Sequence, residues 1–273
     1  MADAVEQHYS GSGAIVDAIS EALRAAGRDL DQLSTADLAA VDEFHIRGRE
    51  ATVEIAGALG VGPESTVLDV GCGLGGPARA LAELRSCRVV GVDLTPAFCE
   101  AAAALSRWTA LDALTSFRVG DATALEFDDT SFDAAVTIHA AMNIPDKPAM
   151  YREAHRVVRP GGTFVVYDVL QGEGGDVLFP VPWAREPSIS HLATVHEMRS
   201  MLVAAGFELV AEHDSSDRSL AWFQAMAARI EAGNTPPVTF ATFLGKDFAE
   251  MSRNQVANLS GRRIRTVTFT CRR

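Results

Sequence analysis

The stretch Val67–Gly76 constrains the fold of this chain of 273 residues more than any other segment. It reads Val-Leu-Asp-Val-Gly-Cys-Gly-Leu-Gly-Gly, a short apolar run with one carboxylate that leads into clustered glycines. Such a pattern is typical of a buried strand that enters a tight turn. Glycine is needed in a turn of this kind where a Cβ would block a positive φ or collide with a ligand. The segment therefore predicts a strand followed by a ligand-binding loop.

Strand-forming and helix-forming segments alternate along the chain after this loop. Short runs rich in apolar and β-branched residues predict strands at 66–70, 88–93, 115–119, 132–138, 163–169, 207–212 and 264–271. Amphipathic runs predict helices between most of these strands and over much of the region 12–58. Strands that alternate with helices in this way are typical of a parallel sheet covered by helices on both faces. We therefore expect an α/β fold.

The composition restricts the partners of the protein. A formal net charge of -12 argues against DNA or RNA, because nucleic-acid-binding proteins carry a basic face. The four cysteines are scattered without a Cys-x-x-Cys pair, which argues against a zinc site. The N-terminal residues lack an apolar signal core, and no apolar run approaches the ~20 residues of a membrane helix. We therefore expect a cytoplasmic protein with no metal, nucleic-acid partner or membrane partner.

The glycine loop by itself also fits a dinucleotide-binding pattern. Gly71, Gly73 and Gly76 match G-x-G-x-x-G, and Asp93 follows about twenty residues further on. Asp69 argues against that interpretation, because it lies just before the loop and would repel a pyrophosphate at short range. The same carboxylate suits the ammonium group of an amino acid. Asp121, at the end of the third predicted strand, offers an acceptor where an adenine edge could be read.

Taken together, the ordered segments resemble the signatures of class I S-adenosylmethionine-dependent methyltransferases. The residues that carry the resemblance are Asp69-Val-Gly-Cys-Gly-Leu-Gly75, Asp93, Gly120-Asp-Ala122, Phe132-Asp133 and Arg159-Pro-Gly-Gly162. The resemblance covers roughly residues 50–215. It implies a seven-stranded, mostly parallel sheet with helices on both faces and an antiparallel last strand at 264–271. It also implies S-adenosylmethionine as cofactor and methyl transfer as the reaction.

The resemblance assigns cofactor contacts by position. The glycine loop would hold the methionine part, Asp69 would lie near its ammonium group, and Asp93 would accept both ribose hydroxyls. Leu94 would pack on the adenine, which Asp121 and the Ala122 N–H would read. The implied cofactor-binding residues are Asp69, Gly71, Gly73, Asp93, Leu94, Asp121, Ala122 and His139.

The acceptor is expected beside the cofactor, because ligands of open α/β sheets bind outside the carboxyl ends of the strands. We expect residues 1–48 to form an N-terminal helical lid over a core of residues 49–273, with a substrate loop at 171–193. Histidine titrates near neutrality, so His139 and His45 are the candidate bases, and Asp168 is a candidate to orient a base or bind an amine. The candidate acceptor-binding residues are Tyr9, Phe44, Asn143, Tyr167, Phe179 and Trp183.

The favoured function is methyl transfer to nitrogen or oxygen of a small molecule. The stretch 138–145 and the loop around 179–183 resemble bacterial small-molecule methyltransferases, including sarcosine-type enzymes. Methyl transfer to carbon is an alternative. A nicotinamide-dependent oxidoreductase and a cofactor-binding protein without catalysis are alternatives of other classes, and a homodimer is left open.

Overall fold

The computed structural model describes residues 15–240 and 244–273. In the described part of the chain, three α-helices precede the sheet: α1 (Ile15–Ala25), α2 (Thr35–Asp42) and α3 (Gly48–Leu59). The apolar face of α1 buries Ile15, Ile19 and Leu23, which recur every four residues. Helix α2 begins with a capping box between Ser34 and Asp37. Helix α3 ends at Gly60, whose φ of 65° is the left-handed conformation that commonly closes a helix.

Seven strands form one sheet in the order β3-β2-β1-β4-β5-β7-β6. Their bounds are β1 Thr66–Val70, β2 Arg88–Asp93, β3 Thr115–Val119, β4 Phe132–Ile138, β5 Val158–Gln171, β6 Glu208–Asp214 and β7 Ile264–Arg272. Strands β1 to β5 pair in parallel, and β7 runs antiparallel to both β5 and β6. The predicted mostly parallel sheet with an antiparallel last strand is confirmed.

Helices cover both faces of this sheet. They are α4 Gly76–Arg85, α5 Pro96–Trp108, α6 Lys147–Val157, α7 Val195–Ala204, α8 Ser216–Glu231 and α9 Phe248–Ser260. Successive residues of a strand point to opposite faces. Leu68 accordingly packs in one buried cluster with residues of α6 and α7, while Val67 packs in another with residues of α3 and α4. Both faces of β1 are therefore buried, as its continuous apolar run predicts. Within the described residues, no helix has the length and apolar character needed to cross a membrane.

Strand β5 is longer than its sequence pattern predicts. Residues 159–162 were expected to separate α6 from a strand at 163–169, but they lie within β5. The reason is a pairing with the C-terminal residue: Gly161 N donates to Arg273 O at 2.7 Å, and Arg273 N donates to Gly162 O at 3.0 Å. The division into a lid over 1–48 and a core over 49–273 stays a prediction, as does the cytoplasmic location.

Candidate active site

A cavity of about 360 Å³ lies at the carboxyl ends of the parallel strands. The glycine loop, the residues that follow β2, β3 and β4, and the segment between α2 and α3 line it. Because neighbouring parallel strands end at the same edge, the strand order fixes the order of their functional side chains. Asp121 follows β3, Asp93 ends β2, Asp69 lies in β1 and His139 follows β4. We call Asp69, Asp93 and Asp121, with the glycine loop, the carboxylate end of the cavity.

Two glycines of the loop serve different needs. Gly71 has a φ of +78°, and a Cβ there would lie 2.3 Å from the Cβ of Ala140. The loop after β1 therefore touches the segment after β4 only because Gly71 has no side chain. Gly73 has a φ of +51°, and a Cβ there would meet nothing within 4 Å. Since Gly73 lines the cavity, its bare backbone leaves room for a ligand.

Asp93 anchors the glycine loop to the end of β2. Its Oδ2 accepts a hydrogen bond from Gly73 N at 2.9 Å, and its Oδ1 accepts one from Thr95 N at 2.9 Å. A carboxylate has about four lone-pair sites, so both oxygens keep acceptor capacity for ribose hydroxyls. Burial raises the pKa of Asp93, and the two backbone N–H groups oppose that rise.

Asp69 is a buried carboxylate with an unmet acceptor. Its residue is 1% exposed, and its Oδ2 has no hydrogen-bond partner among the described residues. Burial, and then the charge of Asp93, raises the pKa of Asp69 to about 7. A cation beside this oxygen would stabilise the ionised form. The arrangement therefore fits the ammonium group of an amino acid, as the sequence predicts.

Asp121 is held in place by its own turn. Its Oδ1 accepts from Thr123 N at 2.8 Å and from Thr123 Oγ1 at 2.7 Å. Asp121, Leu94 and Ala122 all line the cavity, and Leu94 is 37% exposed there. The predicted adenine-binding residues are thus brought together, with Asp121 oriented by a local hydrogen-bonded turn.

The opposite end of the cavity brings both predicted bases together. We call Phe44, His45, His139 and Asn143 the histidine end; all four line the cavity. The ring centroids of His45 and His139 are 6.0 Å apart, and the ring of His139 lies 4.8 Å from that of Tyr167. His139 N donates to Tyr167 O at 2.8 Å, so β5 positions this histidine.

Both histidines are neutral at pH 7. Burial lowers the pKa of His45 to about 4. Burial, and then the charge of His45, lowers the pKa of His139 well below its usual value. The Nε2 atom of His45 lies 2.9 Å from Gly48 O, which can only accept, so this nitrogen carries the hydrogen. The lone pair of His45 is therefore on Nδ1.

Four predicted site residues do not reach the cavity wall. Trp183 is 1% exposed and packs in a buried cluster with Ile46, Met142 and Leu259, against which Phe179 also packs. The indole nitrogen of Trp183 donates to Ser190 Oγ at 3.0 Å. Trp183 is therefore buried against other segments of the protein, and neither Trp183 nor Phe179 is among the residues that line the cavity. Asn143 holds this loop in place, because its Nδ2 donates to Trp183 O at 2.8 Å.

Tyr167 and Asp168 illustrate the alternation of side chains along β5. Tyr167 is fully buried behind His139, and its hydroxyl donates to Ile46 O at 3.0 Å, so it supports the histidine end from behind. Asp168 points to the other face, where burial raises its pKa to about 7 and Oδ1 accepts from Val169 N at 2.9 Å. The prediction that Asp168 orients a base is corrected by this placement. Tyr9 lies outside the described residues.

Two clusters of polar residues that involve the N-terminal segment were not predicted as parts of the site, although the sequence of that segment is rich in polar residues. Glu43 accepts from Thr52 Oγ1 at 2.5 Å, and this hydroxyl oxygen lies 3.1 Å from His45 Nε2. Arg79 Nη2 donates to Asp42 Oδ2 at 2.6 Å and to Leu74 O at 2.6 Å. Arg79 is 0% exposed, so this ion pair links α2 to the glycine loop inside the protein.

No group of three or more His, Cys, Asp or Glu residues within 15–240 and 244–273 is arranged to hold a metal ion. The four cysteines are buried and unpaired. The cavity therefore offers its ligand hydrogen bonds, carboxylate charges and apolar walls.

Comparison with known proteins agrees with this geometry. Residues 68–166 match the family described as methyltransferase domain. A sterol 24-C-methyltransferase of Aspergillus fumigatus is 33% identical over 190 residues, which are 67% of this chain and 50% of that protein. A 2-methyl-6-phytyl-1,4-hydroquinone methyltransferase of Synechocystis is 39% identical over 130 residues, 48% of this chain and 39% of that protein. The chain thus spans about half the length, or less, of these curated relatives.

A solved structure of the [4+2]-cyclase SpnF superposes with a TM-score of 0.66 and 26% identity, covering 82% of this chain and 80% of that one. The family match and the shared fold confirm the class that the sequence predicts. Residues 68–166 lie in a class I, Rossmann-like, S-adenosylmethionine-dependent methyltransferase domain.

Proposed function

We propose that this chain transfers a methyl group from S-adenosylmethionine to a carbon atom of an uncharged, largely apolar small molecule. The observation that carries the proposal is one cavity that joins the carboxylate end to two neutral histidines. Bound S-adenosylmethionine would supply an electrophilic methyl group. The protein aligns the acceptor with it and excludes water.

The carboxylate end fits the proposed donor. Asp69 would hold the ammonium group, because its buried Oδ2 lacks a partner among the described residues. Asp93 would accept ribose hydroxyls while it keeps the loop in place through Gly73 N. Asp121 would meet the adenine edge from its hydrogen-bonded turn. Three carboxylates along one sheet edge therefore complement a ligand that carries a sulfonium and an ammonium charge.

The charge of the cavity supports a neutral acceptor. Five aspartates line it, and none of the described lining side chains is lysine or arginine. An acceptor with a phosphate or carboxylate would face carboxylates with no lysine or arginine among the described lining side chains to compensate its charge. The apolar contributions of Phe44, Ile144 and Pro145 suit a hydrocarbon group instead.

The relatives support carbon as the methylated atom. The printed name of the Aspergillus relative specifies a 24-C-methyltransferase, and its identity extends over 67% of this chain. Methylation of an alkene or ring carbon ends with loss of a proton, and a neutral imidazole is a suitable acceptor for it. His45 and His139 meet that need without prior deprotonation. We therefore propose carbon in place of the nitrogen or oxygen favoured by the sequence pattern.

The test uses S-adenosylmethionine with a labelled methyl group and two groups of acceptors. A prenylated hydroquinone and a sterol with an unsaturated side chain are compared with a phenol, an amine and a prenyl diphosphate of similar size. We expect label in the carbon skeleton of a neutral acceptor, located by fragmentation mass spectrometry. Label on nitrogen or oxygen, or turnover of the diphosphate alone, would contradict the proposal. Reactions without an acceptor give the background.

A second candidate function follows from the 26% identity to a structure named as a cyclase. A protein of that kind would convert an unsaturated acceptor without consuming the methyl donor. Release of S-adenosylhomocysteine in proportion to product distinguishes the two functions. Product formed with no S-adenosylhomocysteine would favour the cyclase.

A further inference from the structure

A buried chain of hydrogen bonds leads from the histidine end of the cavity to Glu43. His45 Nε2 lies 3.1 Å from Thr52 Oγ1, and Thr52 Oγ1 donates to Glu43 Oε2 at 2.5 Å. The side chain of Glu43 is 0% exposed, Thr52 is 0% exposed and His45 is 7% exposed. The segment between α2 and α3 supplies Glu43 and His45, and the first turns of α3 supply Thr52. This chain lies outside the donor contacts described above.

The direction of each hydrogen bond follows from its partners. Gly48 O can only accept, so His45 Nε2 carries a hydrogen. The hydroxyl of Thr52 has one hydrogen, which it gives to Glu43, so its oxygen can only accept from His45. The single Nε2 hydrogen of His45 is therefore shared between Gly48 O at 2.9 Å and Thr52 Oγ1 at 3.1 Å. The donors therefore run in one direction, from His45 through Thr52 to Glu43. Nδ1 of His45 therefore carries the lone pair that can accept a proton, in a ring that lines the cavity.

We propose that Thr52 and Glu43 are positioning residues that let His45 pass the proton of the methylated carbon to Glu43. The acceptor C–H bond breaks and its proton binds His45 Nδ1, while the electron pair stays in the product. The Nε2 hydrogen moves to Thr52 Oγ1, and the Thr52 hydrogen moves to Glu43 Oε2. One proton is transferred in total, and no oxidant or reductant is needed. The proposal rests on the proposed carbon methylation.

The acidities along the chain agree with this direction of transfer. Burial raises the pKa of Glu43 to about 7 and lowers that of His45 to about 4. A proton is therefore more stable on Glu43 than on the imidazole. The charged and titratable groups that face the chain are Asp42, Arg47, Arg49, Glu83 and His139. Arg49 contacts Glu43 directly and keeps its buried charge compensated.

The test begins with a measurement that needs no acceptor. In full-length protein labelled with ¹⁵N-histidine, His45 is assigned by comparison with a His45→Gln variant and followed by NMR from pH 5 to 9. We expect His45 to carry its hydrogen on Nε2. We also expect its ¹⁵N chemical shifts to change in a step at the same pH at which the ¹³C-labelled carboxyl of Glu43 titrates. Thr52→Val should remove that step, and Thr52→Ser should keep it. Thr137→Val is the matched control, because Thr137 is 1% exposed and its hydroxyl has no partner among the described residues.

An Nδ1–H tautomer, or a His45 step that persists unchanged in Thr52→Val, would overturn the proposal whether or not any acceptor is found. With an acceptor that is turned over, Thr52→Val and Glu43→Gln should lower kcat at least tenfold, with KM for the donor changed less than threefold. Thr52→Ser should recover most of the rate. Equal kcat and pH profiles in wild type, Thr52→Val and Glu43→Gln would reject the relay. Failure of methyl transfer itself, with the NMR coupling present, would reject only the proposed function.

Discussion

The carboxylate end and the histidine end share one cavity but are assembled in different ways. Asp69 lies in β1, Asp93 ends β2 and Asp121 follows β3, so all three belong to neighbouring strands. Hydrogen bonds to the glycine loop and to its own turn hold Asp93 and Asp121, respectively. The histidine end combines His139, after β4, with Phe44 and His45 from the segment before α3. The two histidines are held by contacts with Tyr167 O, which accepts from His139 N, and with Thr52, whose hydroxyl lies near His45 Nε2. The carboxylate end therefore forms from neighbouring strands of the sheet. The histidine end also requires the segment before α3 to pack against the sheet.

The largest effect is expected at Gly71, where the two ends touch. Gly71→Ala adds a Cβ 2.3 Å from Ala140 Cβ at a φ of +78°, so it should lower Tm by roughly 5–15 °C. Gly73→Ala has open space and should lower Tm by only a few degrees. Both should weaken binding of S-adenosylhomocysteine, Gly73→Ala by filling the cavity. Differential scanning fluorimetry and isothermal titration calorimetry measure the two effects. Equal Tm losses in the two variants would contradict this interpretation of the loop.

Asp93→Ala should damage the carboxylate end alone. It removes a charged acceptor from two ribose hydroxyls and from the N–H groups of Gly73 and Thr95. The expected loss is roughly 1.5–3 kcal/mol of cofactor binding, or about 10-fold to 150-fold in Kd. Calorimetry with S-adenosylhomocysteine measures it, with Asp133→Ala as a control outside the cavity. An unchanged Kd would reject the role of Asp93.

His139→Gln should damage the histidine end alone. Glutamine keeps a polar side chain but removes the imidazole whose ring centroid lies 6.0 Å from that of His45, so turnover should fall by roughly tenfold or more. Cofactor affinity should stay within about twofold, because the donor contacts lie on the three aspartates. Steady-state kinetics at saturating cofactor give the first value and calorimetry the second. If His139→Gln turned over at the wild-type rate, His139 would only line the cavity and would have no part in catalysis.

The smallest effect is a pH dependence that belongs to Asp69. Burial raises its pKa to about 7, so the carboxyl is mostly protonated at pH 6 and mostly ionised at pH 8. Only the ionised form attracts an ammonium group, and the affinity for S-adenosylhomocysteine should therefore rise by up to about tenfold over this range. Asp69→Asn should bind more weakly and with a flat profile. A wild-type affinity that falls from pH 6 to pH 8 would contradict the assignment.

The residues of the carboxylate end can be located from the sequence because their signals are local. Glycines, a strand and a carboxylate in close succession define Asp69 and Gly71, and the bounds of β1 to β4 match their apolar runs. The aromatic rings of the loop around Trp183 were expected at the cavity wall, but they pack in a buried cluster instead. The sequence fits both places, and only the packing of the folded protein decides between them. Asp168 was misplaced because a shift of one position along a strand changes the face. Thr52 carries no signal of its own, since its role depends on contact with Glu43 and His45.

The buried pair of Asp42 and Arg79 restricts how this protein could be re-engineered. Arg79 holds Asp42 of α2 and the carbonyl of Leu74 with the same nitrogen, at 2.6 Å in each case. If the first sixty residues were replaced by those of a relative, the buried guanidinium of Arg79 would lose its partner unless the new segment also supplied a matching carboxylate. Chimeras should fold only when the new segment supplies a carboxylate at the position of Asp42, or when Asp42 and Arg79 are exchanged together.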